Sequence, residues 1–217
     1  MRQERDELSE TFCANCTACP RLAGFLAEVR ADFPDYYARP VPPFGDERPW
    51  LLIVGLAPGM HGANRTGRPF TGDHAGILLY QTLHRYGFAS REQSVDSEDG
   101  LILQGCRITN AVKCLPPANK PEPGEIRQCN NYLAAEFRAL PADIAILALG
   151  AVAHAAVLMA LGLPPKTHKF GHGAVHAIGD RRKLYDSYHC SRYNTQTRRL
   201  TTDMFHAVFA RICADRE

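Results

Sequence analysis

Apolar residues fall in short blocks along the chain, and amphipathic stretches separate them. Leu51-Leu52-Ile53-Val54 runs apolar into Gly55, and residues 143–149 run apolar into Gly150. A short unbroken run stopped by a turn residue is the pattern of a strand buried on both faces. Residues 107–112 and 173–178 are weaker strand candidates, and a further strand is expected just ahead of Ser187. Helices are expected over residues 75–86, 124–139, 151–161 and 201–214, the last capped by Thr201 or Thr202. Strands alternating with helices predict an α/β fold of three layers, α/β/α, around a central, mostly parallel four-stranded sheet. In open sheets of this kind ligands bind beyond the carboxyl ends of the strands, where residues 55–76 and 110–117 emerge. The Pro-rich stretches 41–45 and 115–123 read as ordered loops.

Composition narrows the class. With 217 residues, 45% of them hydrophobic, the chain can bury one substantial core, so a single domain over 1–217 is expected, with a cysteine-bearing N-terminal segment. The first residues are charged and lead into no apolar stretch, so we expect a cytoplasmic monomer with no signal and no membrane partner. A net charge of +2 does not by itself call for a nucleic-acid partner. The charge is unevenly spread, however: between Arg181 and Arg199 lie five arginines and one lysine against Asp186 alone.

Eight cysteines in a chain without an export signal suit a metal site or core packing better than a disulfide framework. Cys13, Cys16 and Cys19 form a C-x2-C-x2-C run, and Cys114 and Cys129 flank the second Pro-rich loop and the start of a helix. Two residues between thiolates let one tight turn present both sulfurs to a single centre. Spacing alone leaves structural zinc and an iron–sulfur cluster equally open. Cys106, Cys190 and Cys213 are isolated and read as small buried hydrophobes.

Two loops are rich in chemistry. Residues 55–73 follow a strand and precede a helix. Their glycines let backbone approach a ligand, Phe70 offers a flat face, and Asp73 brings a carboxylate to the start of the helix. That set suits a flat heterocycle; the structural alternative is a long turn in which Asp73 only caps the helix and Phe70 plugs the core. Residues 187–200 mix arginines, hydroxyls and a tyrosine, as a loop needs to hold phosphates and insert into a base stack; the alternative is a solvated basic loop.

Gly55-Leu56-Ala57-Pro58 together with the stretch from His61 to Asp73 closely resembles motif one of the family 5 uracil-DNA glycosylases. Cys16 to Leu22 resembles that family's N-terminal cluster segment, Thr109 to Cys114 with Pro116 to Pro121 its central one, and His189, Ser191, Asn194 and Leu200-Thr201 its motif-two loop. The resemblance implies a structural 4Fe-4S cluster on Cys16, Cys19, Cys114 and Cys129, with Cys13 spare. It implies a hydrolase that cuts uracil, and other deaminated or damaged bases, from DNA after the nucleotide is extruded from the duplex. Asp73 would stabilise the oxocarbenium-like sugar or orient water, His189 would donate toward the uracil carbonyl, and Asn110 would read the base edge. Gly55, Ala57 and Phe70 would line the base pocket, and Arg65, Ser191, Arg192, Tyr193 and Arg199 would hold DNA.

The sequence departs from the family pattern in two places. Cys190 and Arg192 stand where prolines are common, which predicts a softer motif-two loop. Gly59-Met60 replaces a small pair, and Met60 is expected to reshape the pocket. His168, His172 and His176 recur every four residues, but Gly171 and Gly173 argue against a helix that would align them as metal ligands. Two rival readings stay open: a zinc-dependent nucleotide hydrolase using the cysteines and histidines, and a non-catalytic DNA-damage binding module.

Overall fold

The strand Leu51–Gly55 (β2) buries every residue, and its side chains alternate between two apolar clusters: Leu51 and Ile53 join one, Leu52 and Val54 the other. A strand of that kind needs helices on both sides. The computed structural model, which describes residues 12–179 and 181–216, puts β2 inside a six-stranded sheet of order β1-β3-β2-β4-β6-β5. The other strands are β1 (Phe44–Gly45), β3 (Cys106–Asn110), β4 (Ala145–Leu149), β5 (Val175–Ile178) and β6 (Arg182–Ser187). The inner four, β3-β2-β4-β6, are parallel; β1 and β5 are antiparallel edges.

The expected parallel core of four is therefore present, with two edge strands added to it. Two-residue β1 is too short to leave a periodic signal. The stretch 173–178, expected as one of the four, is instead the antiparallel edge β5, and the inner place belongs to β6, the strand foreseen only as something ahead of Ser187. Its sequence RKLYDS hides a core strand behind charged residues. Asp186 lies fully buried there, and its carboxylate accepts from His154 Nδ1 at 2.8 Å, His176 Nε2 at 3.0 Å and the Gly171 amide at 3.2 Å. A buried charge so completely hydrogen-bonded can occupy a core position that periodicity reserves for apolar residues.

The seven helices of the described residues are α1 (Pro20–Asp32), α2 (Ala63–Thr66), α3 (His74–Arg85), α4 (Pro123–Ala139), α5 (Ala151–Ala160), α6 (Arg192–Gln196) and α7 (Thr202–Ala214). Leu79 and Leu83 of α3 and Phe205 and Phe209 of α7 cover one face of the sheet; Leu133 and Phe137 of α4 and Val157 of α5 cover the other. The four expected helices are present with ends shifted by a residue or two, and Thr201 caps α7 by accepting from the Met204 amide. Helix α1 was not expected, although Pro20 at its first turn and buried Leu22, Leu26 and Val29 on one stripe carry the signature. It packs with Val112, Cys114, Leu115 and Cys129 in a third cluster, away from the sheet faces.

Candidate active site

Parallel strands end together, and the chemistry gathers beyond their carboxyl ends. Gly55 closes β2 directly opposite Asn110, which closes β3. Glycine is required at 55: a Cβ there would collide with Asn110 Oδ1 and stand 2.7 Å from the Phe70 ring. Asn110 is 3% exposed, and its Oδ1 has no hydrogen-bond partner. An orphaned buried acceptor costs about 1–3 kcal/mol, so its natural use is to meet a donor that arrives with a ligand.

Phe70 sits in the left-handed region at φ 55°, a strained backbone for an aromatic residue. Tyr80, whose hydroxyl donates to the Pro69 carbonyl at 2.8 Å, braces the turn. Gly76 of α3 makes room for it, since a Cβ there would run into the Phe70 carbonyl. The Phe70 ring is buried and stacks on His189, with centroids 5.6 Å apart and planes at 28°. His189 follows β6 by two residues, its backbone carbonyl accepting from Asn194 Nδ2 at 2.8 Å. Burial with no counter-charge pulls its pKa down to about 4, so the ring is a neutral imidazole at physiological pH.

Asp73 serves two purposes at once. Its Oδ1 accepts from the Gly76 amide at 3.0 Å, capping α3. Its Oδ2 lies against Gly59 and Gly62, where any side chain at 62 would strike it. Burial pushes its pKa up against the pull of the Gly76 and Ala75 amides, leaving a poorly solvated carboxyl with one oxygen free of the cap. Cys190 is buried beside it, and burial and the Asp73 charge both push the thiol up. The two loops are tied here: His74 Nε2 meets Thr195 Oγ1 at 3.0 Å, a link that no local pattern announces.

The remaining expected residues divide by position. Arg65 and Arg192 line one cleft with Asp73. Ser191 caps α6, Tyr193 is 69% exposed, and Arg199 stacks on Tyr188 at 4.7 Å. Ala57 and Met60 pack against the third cluster, next to α1, so Met60 shapes that side of the loop. His168 and His172 lie on a loop and His176 on β5; His172 Nδ1 accepts from the Tyr188 amide at 3.2 Å, under the motif-two loop.

Cys16, Cys19, Cys114 and Cys129 line a single cavity of about 430 Å³, and Cys13 is absent from its wall. Burial and neighbouring thiols push Cys19 up to about 11 and Cys114 up to about 12, as expected of sulfurs that share one cavity. The Lys113 amide donates to Cys129 Sγ at 3.2 Å. The Lys113 ammonium, 1% exposed, pairs with Glu136 and Thr109; nothing in the sequence pattern distinguishes it from a surface lysine.

An unpaired amide oxygen, a flat aromatic face and a desolvated carboxyl gathered beyond the strand ends are groups suited to a flat polar ring. A family model described as the uracil DNA glycosylase superfamily matches residues 42–213, and the chain belongs to that family. Within it, the long matches are to type-5 uracil-DNA glycosylases. That of Thermus thermophilus is 46% identical over 210 residues, 94% of this chain and 95% of the relative. That of Mycobacterium tuberculosis is 47% identical over 203 residues, 89% and 75%. A type-4 uracil-DNA glycosylase of Thermotoga maritima is 33% identical over 153 residues, 70% and 65%. Among the described residues no helix is long and apolar enough to cross a membrane.

Proposed function

We propose that the protein is a DNA-repair glycosylase that hydrolyses the N-glycosidic bond of uracil in DNA. The observation that carries the reading is the placement of Asp73, Phe70 and the unpaired Asn110 amide oxygen beyond the strand ends, with His189 arriving from β6. The extruded base would lie against Phe70, its ring N–H donating to Asn110 Oδ1. As the bond to the sugar breaks, its electrons leave with uracil and positive charge grows on the sugar. Asp73 Oδ2, already stripped of most water, stabilises that charge and orients the water that adds to it. Neutral His189 donates a ring N–H to the uracil carbonyl as negative charge grows there. The stacked rings stand 5.6 Å apart, whereas a base between them needs two contacts of about 3.5 Å, so one ring must shift to admit it.

The cysteine cavity supports a 4Fe-4S cluster over zinc. A lone zinc ion draws four sulfurs to about 2.3 Å from one point, and so to within about 4 Å of one another, whereas no three of these cysteine sulfurs lie within 4.8 Å of one another. Bound, the cluster supplies a structural tie: Cys16 and Cys19 would join the N-terminal segment to Cys114 beyond β3 and Cys129 on α4. Iron near four atoms per chain with a brown visible absorption supports this assignment; colourless protein with one zinc overturns it.

We take the substrates to be uracil and other deaminated bases in DNA, and the working form to be a cytoplasmic monomer of one domain. The decisive experiment measures free base and DNA affinity separately on a uracil-containing oligonucleotide. Asp73→Asn should lower release about 10²–10³-fold with affinity nearly unchanged. Wild-type protein that binds this DNA and liberates no base would establish the binding-module reading instead.

A further inference from the structure

Asp73 also borders an open cleft of about 580 Å³, whose lining includes none of Gly55, Phe70, Asn110 and His189. Its other walls are His74, Ile77 and Gln81 on the outer side of α3, the segment Gln93-Ser94-Val95, and Arg65 and Arg192. Neither arginine forms an ion pair among the described residues; Arg65 uses only Nε, on the His61 carbonyl at 2.9 Å. Two guanidinium groups and one carboxylate, that of Asp73, therefore line the cleft. Ile77 and Val95 are 54% and 56% exposed, apolar surfaces in an otherwise polar lining.

The far wall is held firmly. Arg68, itself 5% exposed, donates from Nη1 to Asp99 at 2.7 Å and Ser94 Oγ at 3.0 Å, and from Nη2 to the Ser97 carbonyl at 2.7 Å. Ser94 is tied in turn to the loop that carries Phe70 and Asp73: its Oγ meets Thr71 Oγ1 at 2.7 Å, and its carbonyl accepts from the Gly72 amide at 3.3 Å. A cleft fastened to the catalytic loop transmits binding energy directly to the reacting geometry.

We propose that this cleft is a subsite for the nucleotide adjoining the extruded one. Its phosphate binds Arg65 and Arg192, its ring lies on Ile77 and Val95, and the amides of Gln81 and Gln93 take its edge. Apolar faces accept any base, and an amide both donates and accepts, so the subsite is sequence-tolerant. The proposal rests on the glycosylase reading and adds a footprint to it: a uracil nucleotide alone is a poor substrate, and one neighbour on one side restores most of the rate.

The test uses the whole cluster-bearing chain and single-stranded oligonucleotides carrying uracil with zero, one or two nucleotides on each side. Both kcat/KM for base release and affinity by fluorescence anisotropy are measured. In wild type, adding the first neighbour on one side should raise kcat/KM about tenfold or more, the scale of one stacked base. In Val95→Glu and in Gln93→Glu that gain should fall below about threefold. In Met159→Glu, which adds the same charge at an exposed site on α5, it should persist. Equal gains in wild type and Val95→Glu, or no gain from a neighbour on either side, overturn the subsite. Should no protein release base, the glycosylase reading fails, and the same ratios of affinity still decide whether the cleft holds a nucleotide.

Discussion

Replacing His189 by glutamine tests the electrostatics of the pocket without touching Asp73. In the folded chain the imidazole titrates near 4, against 6.5 for the free side chain. Because the folded value lies below the unfolded one, the unfolded chain binds the extra proton as pH falls from 6.5 toward 4. Stability is therefore lost through that window and fully kept above it. The difference between 6.5 and about 4 corresponds to about 3 kcal/mol at its limit, and at pH 5 about 2 kcal/mol of it should already be gone. Glutamine has no proton to gain. Urea unfolding at pH 8 and pH 5 should show wild type losing about 2 kcal/mol more than His189→Gln, with every other titrating group cancelling between the two proteins. Equal losses, or a ring that titrates near 6.5 by NMR, would refute the claim that His189 acts as a neutral donor. Burial raises the Asp73 carboxyl above its ordinary value, so an acid limb of base release that belongs to Asp73 should survive in His189→Gln.

Three other outcomes follow from particular contacts. Gly55→Ala, whose methyl would meet Asn110 Oδ1 and the Phe70 ring, should lower kcat/KM by roughly 5- to 150-fold, from about 1–3 kcal/mol of overpacking at the site; unchanged kinetics would remove Gly55 from it. Lys113→Met strands the buried Glu136 carboxylate and should cost about 3–5 kcal/mol in denaturant unfolding, most of it recovered in Lys113→Met with Glu136→Leu. Arg199→Ala removes a charge stacked on Tyr188 and should reduce the slope of log affinity against log salt by about one; an unaltered slope takes Arg199 off the DNA.

Much of the candidate site was legible because its residues sit in contiguous motifs. Asp73, Phe70 and Gly55 share one loop; the capping reading of Asp73 is seen in one oxygen, and the other oxygen, which the cap does not use, lies against glycines. Cys16, Cys19, Cys114 and Cys129 were matched by resemblance, and spacing alone did not choose among five candidates. Periodicity went astray where polar residues are buried. Strand β6 carries Arg182, Lys183 and Asp186, and its place beside β4 is made tolerable by His154, thirty-two residues away, and by His176 on the edge strand. Lys113 likewise looks like a surface residue until Glu136 is brought to it across the fold.

By itself, the sequence determined the layers of the protein, the loops that leave the strand ends and the residue types able to handle a flat base, since apolar runs, turn glycines and local motifs act over a few positions. Only tertiary structure decided that His189 stacks on Phe70, that His74 meets Thr195, and that four thiols share one cavity. Those pairings join residues up to 121 positions apart. Their energies depend on burial and on partners that no local stretch of chain contains.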